Sequence, residues 1–326
     1  MESYIHLYET NSEFTAAYNS PNYKEPWLSL TEENMEVNYN KPKLIDFSTE
    51  PLTFNILSDG TVNWTALGSS AKTIDYKKNN GEWVSITSTT TGAKITVNSG
   101  DKLQFKGSNA QYASGSSKYN SFSDSTASFE VEGNIMSLIY GDNFKNNLTI
   151  SSTYTFYGLF KNCTGLTSAK NLILPSTTLA NYCYDSMFNG CTSLTTAPEL
   201  PATALANSCY SGMFRGCTSL TTAPALPATT LANYCYSSMF YGCTSLTTAP
   251  ELPATTLAMG CYYQMFQGCT KLNYIKCLAT DISASYCTGN WVDRVAFTGT
   301  FVKARRMTSW TTGVSGIPTG WRVQNT

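Results

Sequence analysis

The eleven cysteines are the residues of this chain with the widest chemical repertoire, as nucleophiles, metal ligands or disulfide partners. Successive cysteines are eight to twenty residues apart and never form Cys-x-x-Cys, which disfavours a zinc site. A nucleophilic cysteine needs a nearby base, and the cysteine-rich part of the chain contains no histidine. Two series share an interval of 26 residues: Cys183, Cys209, Cys235, Cys261 and Cys287, then Cys191, Cys217, Cys243 and Cys269. The interval indicates a structural repeat.

The repeated cysteines are predicted to be rows of buried free thiols that pack as small apolar side chains. If successive repeats stack at strand spacing, Cys191 and Cys217 come within disulfide range. Each middle cysteine would then have two equivalent neighbours, however, and the number of cysteines is odd. Met1–His6 also shows no signal-peptide pattern, so we expect folding in a reducing compartment.

Few other groups suit catalysis. The single histidine, His6, excludes sites that need two histidines and leaves Ser-His-Asp or Cys-His catalysis dependent on a residue near the N-terminus. Glu199 and Glu251 are two repeats apart, roughly 10 Å at strand spacing, which is close to the separation in inverting glycosidases. Both are expected to be exposed, which argues against a general-acid role for either carboxyl. We predict no catalytic, cofactor-binding or metal site, with a glycan-cleaving enzyme as an alternative.

The repeat that positions these residues extends over about 141–288, and a period of 26 residues predicts a solenoid. Leu231, Cys235 and Met239 have the spacing of one face of a short helix. Gly242 follows at the position where a helix ends in a left-handed residue, and an extended stretch to Pro253 completes the unit. Two sets of positions vary between units and are predicted to be exposed: Asp185, Ser211, Ser237 and Tyr263, and Asn189, Arg215, Tyr241 and Gln267.

Paired threonines recur in the extended stretch of each unit. We expect them to line one strand face with glutamates beside them, and such a neutral, hydroxyl-rich surface suits glycans or polar protein surfaces. Simple solubility is the alternative explanation. The candidate recognition residues are Thr195, Thr196, Glu199, Thr221, Thr222, Thr247, Thr248 and Glu251.

The remaining segments differ in composition. Residues 1–48 carry eight acidic and three basic side chains among scattered aromatics, which favours an extended arm that docks on a partner over a disordered tail.

Residues 49–140 alternate polar and apolar positions in short runs, which predicts a small β-sandwich, Ig-like in type, with surface loops around 107–127. The turn Asn79–Glu82 is predicted to close a hairpin. Residues 289–326 lose the period and are predicted to cap the solenoid, with a basic patch for an acidic partner as the alternative.

The fold class predicted from these segments is α+β: an arm, a sandwich, a solenoid with 26-residue units and a cap. The chain has 21 basic and 22 acidic residues, a net charge of −1, which disfavours a nucleic-acid surface. No run of about 18 apolar residues occurs, so no membrane insertion is expected.

The units from Met187–Leu194 to Met265–Leu272 resemble the BspA-type leucine-rich repeats common in surface proteins of gut Bacteroidales. Each carries Phe-x-Gly-Cys-Thr followed by Ser-Leu, or by Lys-Leu in the last unit. The resemblance covers residues 154–280 and implies a curved solenoid used in adhesion or recognition, with no catalytic residues. The 26-residue unit is longer than that family's, and no secretion or lipoprotein signal is seen.

The stretch from Tyr23 to Asn40 resembles the start of virion proteins from phages of those bacteria, including crAss-like ones. The resemblance implies that the arm attaches to the particle, with Tyr23, Pro26, Trp27 and Tyr39 as candidate docking residues. A phage protein assembled in the host cytoplasm would need no signal sequence.

Together these observations predict a non-enzymatic virion protein, a head or tail fibre or decoration. The arm would bind a capsid or tail protein, and the repeats would bind a host-surface glycan or protein. The alternative is a bacterial cell-surface adhesin with the same repeats. A homo-oligomer is left open as a further partner: fibres are often trimeric, but no heptad pattern supports a trimer here.

Overall fold

The computed structural model of the protein describes residues 46–326, in which β-strands predominate and helices are few. Residues 47–326 form one compact unit, and its apolar core is continuous from end to end. The candidate docking residues of the arm, Tyr23, Pro26, Trp27 and Tyr39, lie outside the described residues.

Ten strands form two sheets in the first part of this unit. They are β1 (Leu52–Ile56), β2 (Gly60–Leu67), β3 (Thr73–Lys78), β4 (Val84–Thr87), β5 (Ala93–Val97), β6 (Lys102–Lys106), β7 (Ala113–Gly115), β8 (Lys118–Ser121), β9 (Phe129–Asn134) and β10 (Leu166–Ile173). One sheet has the order β10-β9-β1-β6-β3-β4 and the other β5-β2-β8-β7. All pairs are antiparallel except β9 with β10. A short helix, α1 (Ser137–Tyr140), and a 3₁₀ helix, Gly141–Asn146, follow β9, and another 3₁₀ turn, Phe47–Thr49, precedes β1.

Aromatic side chains from both sheets meet in a shared core. Phe122 lies with its ring centre 4.8 Å from that of Phe54 on β1 and 4.8 Å from that of Trp64 on β2. All three are fully buried. The indole N–H of Trp64 donates to the backbone carbonyl of Lys72 at 2.8 Å, so its one polar atom is paired.

The strand predictions for residues 49–140 are confirmed, including the hairpin of β3 and β4. The positive φ in its turn falls at Asn79 (54°), one residue before the Asn-Gly pair. The predicted surface loops at 107–127 are wrong in part. β7 and β8 lie there, and Tyr112 and Phe122 are fully buried, because isolated aromatics among serines and glycines enter the core without a periodic pattern.

From Tyr154 onward the chain stacks on itself at a nearly regular interval, and each such returning segment is called a coil below. The amide of Tyr236 donates to the carbonyl of Cys261 at 3.1 Å, and that of Phe240 to Met265 at 3.0 Å, each 25 residues ahead. In the first coil the interval is two residues longer, since the amide of Phe156 donates to Cys183 at 2.8 Å. The 26-residue unit seen in the sequence is therefore the length of one coil.

The short helix predicted at Leu231–Met239 is absent, and a series of turns takes its place. Tyr234, Ser238 and Gly242 have φ angles of 55°, 53° and 72°, which right-handed helices do not accommodate. Amides alternate along this segment: one donates to the carbonyl three residues back, and the next donates to the following coil. The helical part of the predicted α+β class is thus wrong for the coils, and the described chain is β-rich. The left-handed glycine predicted at 242 is confirmed.

Between the coils, equivalent side chains form continuous buried rows. Phe188, Phe214 and Phe240 stack with ring centres 5.5 and 5.7 Å apart and planes within 8° of parallel. A parallel row of tyrosines runs beside them, and its members are Tyr184, Tyr210, Tyr236 and Tyr262. The rows explain why these positions do not vary between units.

The predicted rows of free, buried thiols are confirmed, since all eleven cysteines are buried and unpaired. They also hydrogen-bond, because the thiol of Cys217 donates to the carbonyl of Phe188 at 3.2 Å and that of Cys243 to Phe214 at 3.1 Å. Burial raises the pKa of Cys209 and of Cys269 to about 12, so these thiols are protonated at neutral pH.

The end of the chain continues the stack. Strands β11 (Tyr274–Cys277), β12 (Thr300–Lys303) and β13 (Arg322–Asn325) form a parallel sheet in that order. The Trp291 ring stacks 6.1 Å from Tyr262 on one side and 5.6 Å from Trp310 on the other.

Candidate recognition surface

The paired threonines lie in two adjacent rows along the stack, and we call these six residues the threonine ladder: Thr195, Thr196, Thr221, Thr222, Thr247 and Thr248. Parallel bridges connect Ser168 to Thr196 and Thr196 to Thr222, and a further bridge connects Thr248 to Tyr274. Five of the six are exposed and Thr196 is half-buried. The predicted hydroxyl-lined face is therefore present, at the strand spacing of about 4.8 Å between coils.

Backbone pairing holds the threonine ladder in place while most of its hydroxyls stay available. The amide and the hydroxyl of Thr195 both donate to the carbonyl of Thr167, at 2.9 and 3.0 Å. At the other end of the threonine ladder, the backbone amide of Asn273 donates to the backbone carbonyl of Thr247 at 2.9 Å. A β-branched side chain on a paired backbone has little rotamer freedom, so a ligand would meet preoriented hydroxyls.

The two glutamates beside the threonine ladder are both exposed, as predicted. Glu251 accepts a hydrogen bond from the ammonium of Lys276 at 2.9 Å and so forms a surface ion pair. Glu199 makes no ion pair within residues 46–326. The position between them in the intervening coil is Ala225, so the two carboxylates are separate edge charges on an otherwise neutral face.

The variable positions predicted to be exposed lie mostly in the turns and are largely half-buried. Only Arg215 is exposed, whereas Ser237 and Gln267 are buried. Neighbouring coils cover them: the guanidinium of Arg215 lies 4.2 Å from the ring centre of Tyr241, and the Gln267 amide donates to Asp293 at 2.7 Å. That prediction is wrong because a side chain in a stack is shielded by its equivalents above and below.

Asp185 is the described carboxyl with the most altered ionisation. Burial raises its pKa from 3.8 to about 7, although the Ser186 hydroxyl donates to it at 2.7 Å and Lys161 lies near. Tyr154, Tyr157 and Tyr182 surround this site through edge and stacked ring contacts. Asp185 is therefore a half-buried carboxyl, held by the Ser186 hydroxyl, whose charge changes near neutral pH.

Two clefts lie beside the 3₁₀ helix Gly141–Asn146, away from the threonine ladder. One has a volume of about 570 Å³ and is lined by Ser108, Tyr140 and Lys145 among others. The other, of about 330 Å³, contains Trp83, over whose ring the Lys106 ammonium lies at 4.4 Å. Across residues 46–326, no three histidine, cysteine or acidic side chains come together as a metal site, and no helix has the length and hydropathy to cross a membrane.

A second line of polar and aromatic side chains, on the turn segments, was not predicted. It consists of tyrosines that occupy the same position in four coils, Tyr154, Tyr182, Tyr234 and Tyr286, and of Asn181, Asn207 and Asn233, which precede that position; we call it the tyrosine stripe. The signal was an Asn-Tyr pair that recurs after 52 residues, and it was obscured because Ser208 and Gly260 take the place of tyrosine in the coils between.

No protein-family model matches this chain, and no curated protein and no solved structure resembles it at a significant level.

Proposed function

We propose that this chain is a non-enzymatic structural protein of a phage particle, a head or tail fibre or decoration, that presents its coils to the host surface. The observation that carries the proposal is the threonine ladder, an exposed and nearly uncharged face whose backbone forms parallel bridges at Thr196, Thr222 and Thr248. A rigid face of this kind suits recognition of a glycan or of a polar protein surface.

In this proposal the coils are a leucine-rich-repeat solenoid of BspA type, and the two-sheet part is an Ig-like sandwich that acts as a spacer. Residues 289–326 cap the end of the stack, where Trp291 and β12 cover the last coil. The arm, residues 1–48, binds a capsid or tail protein through Tyr23, Pro26, Trp27 and Tyr39. The chain then lies on the surface of the virion after assembly in the host cytoplasm.

Particle association is tested by mass spectrometry of density-purified phage from the source culture. We expect the chain in the particles, with a peptide that begins at Met1 or Glu2. Detection only in the bacterial envelope, with a trimmed N-terminus, would instead identify a cell-surface adhesin and would overturn the proposed role of residues 1–48.

Recognition is tested with the purified chain as a competitor of phage adsorption to host cells. Changing Thr195, Thr221 and Thr247 together to valine removes three hydroxyls and keeps the β-branched shape, so we expect competition to weaken roughly tenfold or more. The matched control changes three exposed threonines outside the ladder, Thr192, Thr218 and Thr270, to valine and should compete normally. Equal loss in both variants would argue against the threonine ladder as the recognition face.

The enzymatic alternative has its own test. A glycan-cleaving enzyme would release sugar products from host polysaccharide, and Glu199→Gln or Glu251→Gln would abolish that release. We expect no release from the unaltered chain.

A further inference from the structure

We infer that the free edge of β13 binds an acidic, extended segment of another protein, which adds to the sheet β11-β12-β13 as a further strand. In strand addition, backbone hydrogen bonds provide affinity and alternate side chains provide specificity. Binding at this edge is independent of the proposed function, because it uses the end of the stack and not the threonine ladder.

Strand β13 has one paired side and one unpaired side. Within residues 46–326 it pairs only with β12, and all four of its residues are exposed. The amide of Arg322 donates to the carbonyl of Gly299 at 2.9 Å, on the β12 side. Because successive residues of a strand direct their backbone groups to opposite sides, those of Val323 and Asn325 point away from β12. These unpaired N–H and C=O groups are a template for another strand.

An apolar row of the core is left open at this edge. Ile275 on β11, Phe301 on β12 and Val323 on β13 are register partners, so their side chains project from the same face of the sheet. Ile275 and Phe301 are fully buried, whereas Val323 is 45% exposed. An apolar side chain on an added strand would extend the row and cover Val323.

Other exposed apolar side chains are concentrated toward the same end of the chain. Of the eight large apolar side chains that are exposed among the described residues, five lie between 259 and 326: Met259, Tyr286, Phe297, Val314 and Val323. Phe297 is 96% exposed, and its backbone carbonyl lies beside Gly320, shortly before β13. Exposed apolar side chains that cluster in this way are typical of a surface that contacts another protein.

The charges around the edge favour an acidic partner. Residues 289–326 carry five basic side chains and a single acidic one, Asp293, which is paired with the arginine next to it. Arg305, Arg306 and Arg322 are exposed and make no ion pair within the part of the chain that the structure describes. Arg322 begins β13, and the other two follow the end of β12, so cations lie at both ends of the edge.

The same arginines disfavour a second copy of this chain as the partner. Two β13 edges paired antiparallel would bring Arg322 of one copy near Arg305 and Arg306 of the other. Like charges that meet across strands are destabilising, and charged edge residues commonly prevent self-pairing. An acidic strand meets the opposite sign, so the arginines both exclude the copy and attract the partner.

The alternation along β13 specifies the pattern of the partner. Val323 projects from the face of the sheet that carries the core, and Arg322 and Gln324 project from the opposite face. A matching strand therefore carries apolar residues at alternate positions and acidic residues between them. A nucleic acid would meet the arginines but has no backbone N–H and C=O groups to pair with the edge.

The test is direct binding of the full chain to a fluorescein-labelled decapeptide of alternating glutamate and valine, measured by fluorescence anisotropy. We expect this peptide to bind roughly tenfold more tightly than two comparison peptides. One has lysine in place of glutamate and tests the charge. The other has all its glutamates before all its valines, so it keeps the charge and the composition and loses the alternation.

Two variants of the chain separate the backbone from the charge. Val323→Pro removes an outward N–H and keeps the pairing with β12, because proline is tolerated where its nitrogen faces away from the ladder. It should weaken binding of the alternating peptide roughly tenfold or more. Arg322→Glu leaves the backbone unchanged and should weaken binding roughly three- to tenfold.

The matched control is Lys118→Glu, which reverses the charge of an exposed residue on β8 and should leave binding unchanged. No binding of the alternating peptide, equal binding of the acidic and basic peptides, or unchanged binding by Val323→Pro would each overturn the inference. So would self-association of the chain that Val323→Pro abolishes, or tighter binding of a single-stranded oligonucleotide than of the alternating peptide. Particle association and phage adsorption, which test the proposed function, do not depend on any of these outcomes.

Discussion

The two-sheet part of the chain and the coils bury aromatic side chains in different ways. In the sheets, Phe122 joins Phe54 and Trp64 in tilted and edge contacts, and each ring has its own set of neighbours. In the coils, Phe214 lies between two copies of itself, Phe188 and Phe240, in nearly parallel planes. The core between the sheets depends on contacts between distant segments, whereas the core of the coils repeats one interface. The stability of such a stack is approximately a sum of nearest-neighbour terms.

The largest expected effect is in the sheets. Trp64→Ala should lower the free energy of unfolding by about 4 kcal/mol, because it removes the largest core side chain there and leaves the Lys72 carbonyl without its donor. Phe214→Ala should cost about 3 kcal/mol, since it opens a gap in one row. Urea denaturation of both variants measures the difference. A larger loss for Phe214→Ala would show that the rows, not the sheet core, dominate stability.

The next effect is a pH dependence of the free energy of unfolding, and it arises at Asp185, near the junction of the two-sheet part and the coils. The Asp185 carboxyl has a pKa of about 7 in the folded chain against 3.8 ordinarily, so between these values the unfolded state holds fewer protons. The free energy of unfolding should therefore fall as pH rises from about 4 to about 7 and then level off, and the fall between pH 5 and pH 8 should be about 3 kcal/mol. Denaturation curves at pH 5 and pH 8 measure it.

Asp185→Ser is the matched variant for that measurement, because Ser211 and Ser237 hold the equivalent position in the next two coils. It should remove the pH dependence and stabilise the chain at pH 8. A slope that persists in this variant would assign the pH dependence to another group.

The smallest effect concerns one thiol in a row. Cys217→Ala should cost about 1 kcal/mol, because it leaves a small cavity and removes the thiol donor to the Phe188 carbonyl. Cys217→Ser retains a donor in nearly the same place and tests the hydrogen bond separately from the packing. Thermal unfolding of the two variants compares them, and an unchanged midpoint in both would contradict a structural role for the row.

The sequence predicted the repeat and its buried residues well, because a 26-residue period places Cys, Met and Phe side chains at the same depth in every coil. It did not predict the backbone of the turns. Leu231, Cys235 and Met239 fit a helical face, and the left-handed positions of Tyr234 and Ser238 carry glycine in only one other coil each, at Gly260 and Gly212. Alternate amides bond to the next coil, which only the stacked structure makes possible.

Of the two candidate surfaces, one could likewise be predicted from the sequence and the other could not. The threonine ladder was predictable, because the paired hydroxyl residues recur with the 26-residue period. The tyrosine stripe was not, since Ser208 and Gly260 interrupt it and its geometry depends on which residue of the neighbouring coil lies against each ring. The buried aromatics Tyr112 and Phe122 were missed for a related reason, as their neighbours in sequence are polar and only distant strands enclose them.

The alternating hydrogen bonds of the coils have a consequence for how such a protein can change over generations. Because every coil offers the same donors and acceptors to the next, removal or duplication of 26 consecutive residues rejoins equivalent surfaces and leaves the core rows unbroken. Near-identical repeats are also substrates for unequal recombination, which alters copy number in whole steps. Each step lengthens or shortens the array by about 4.8 Å. A lineage can therefore adjust the reach of both surfaces without a single substitution in the core.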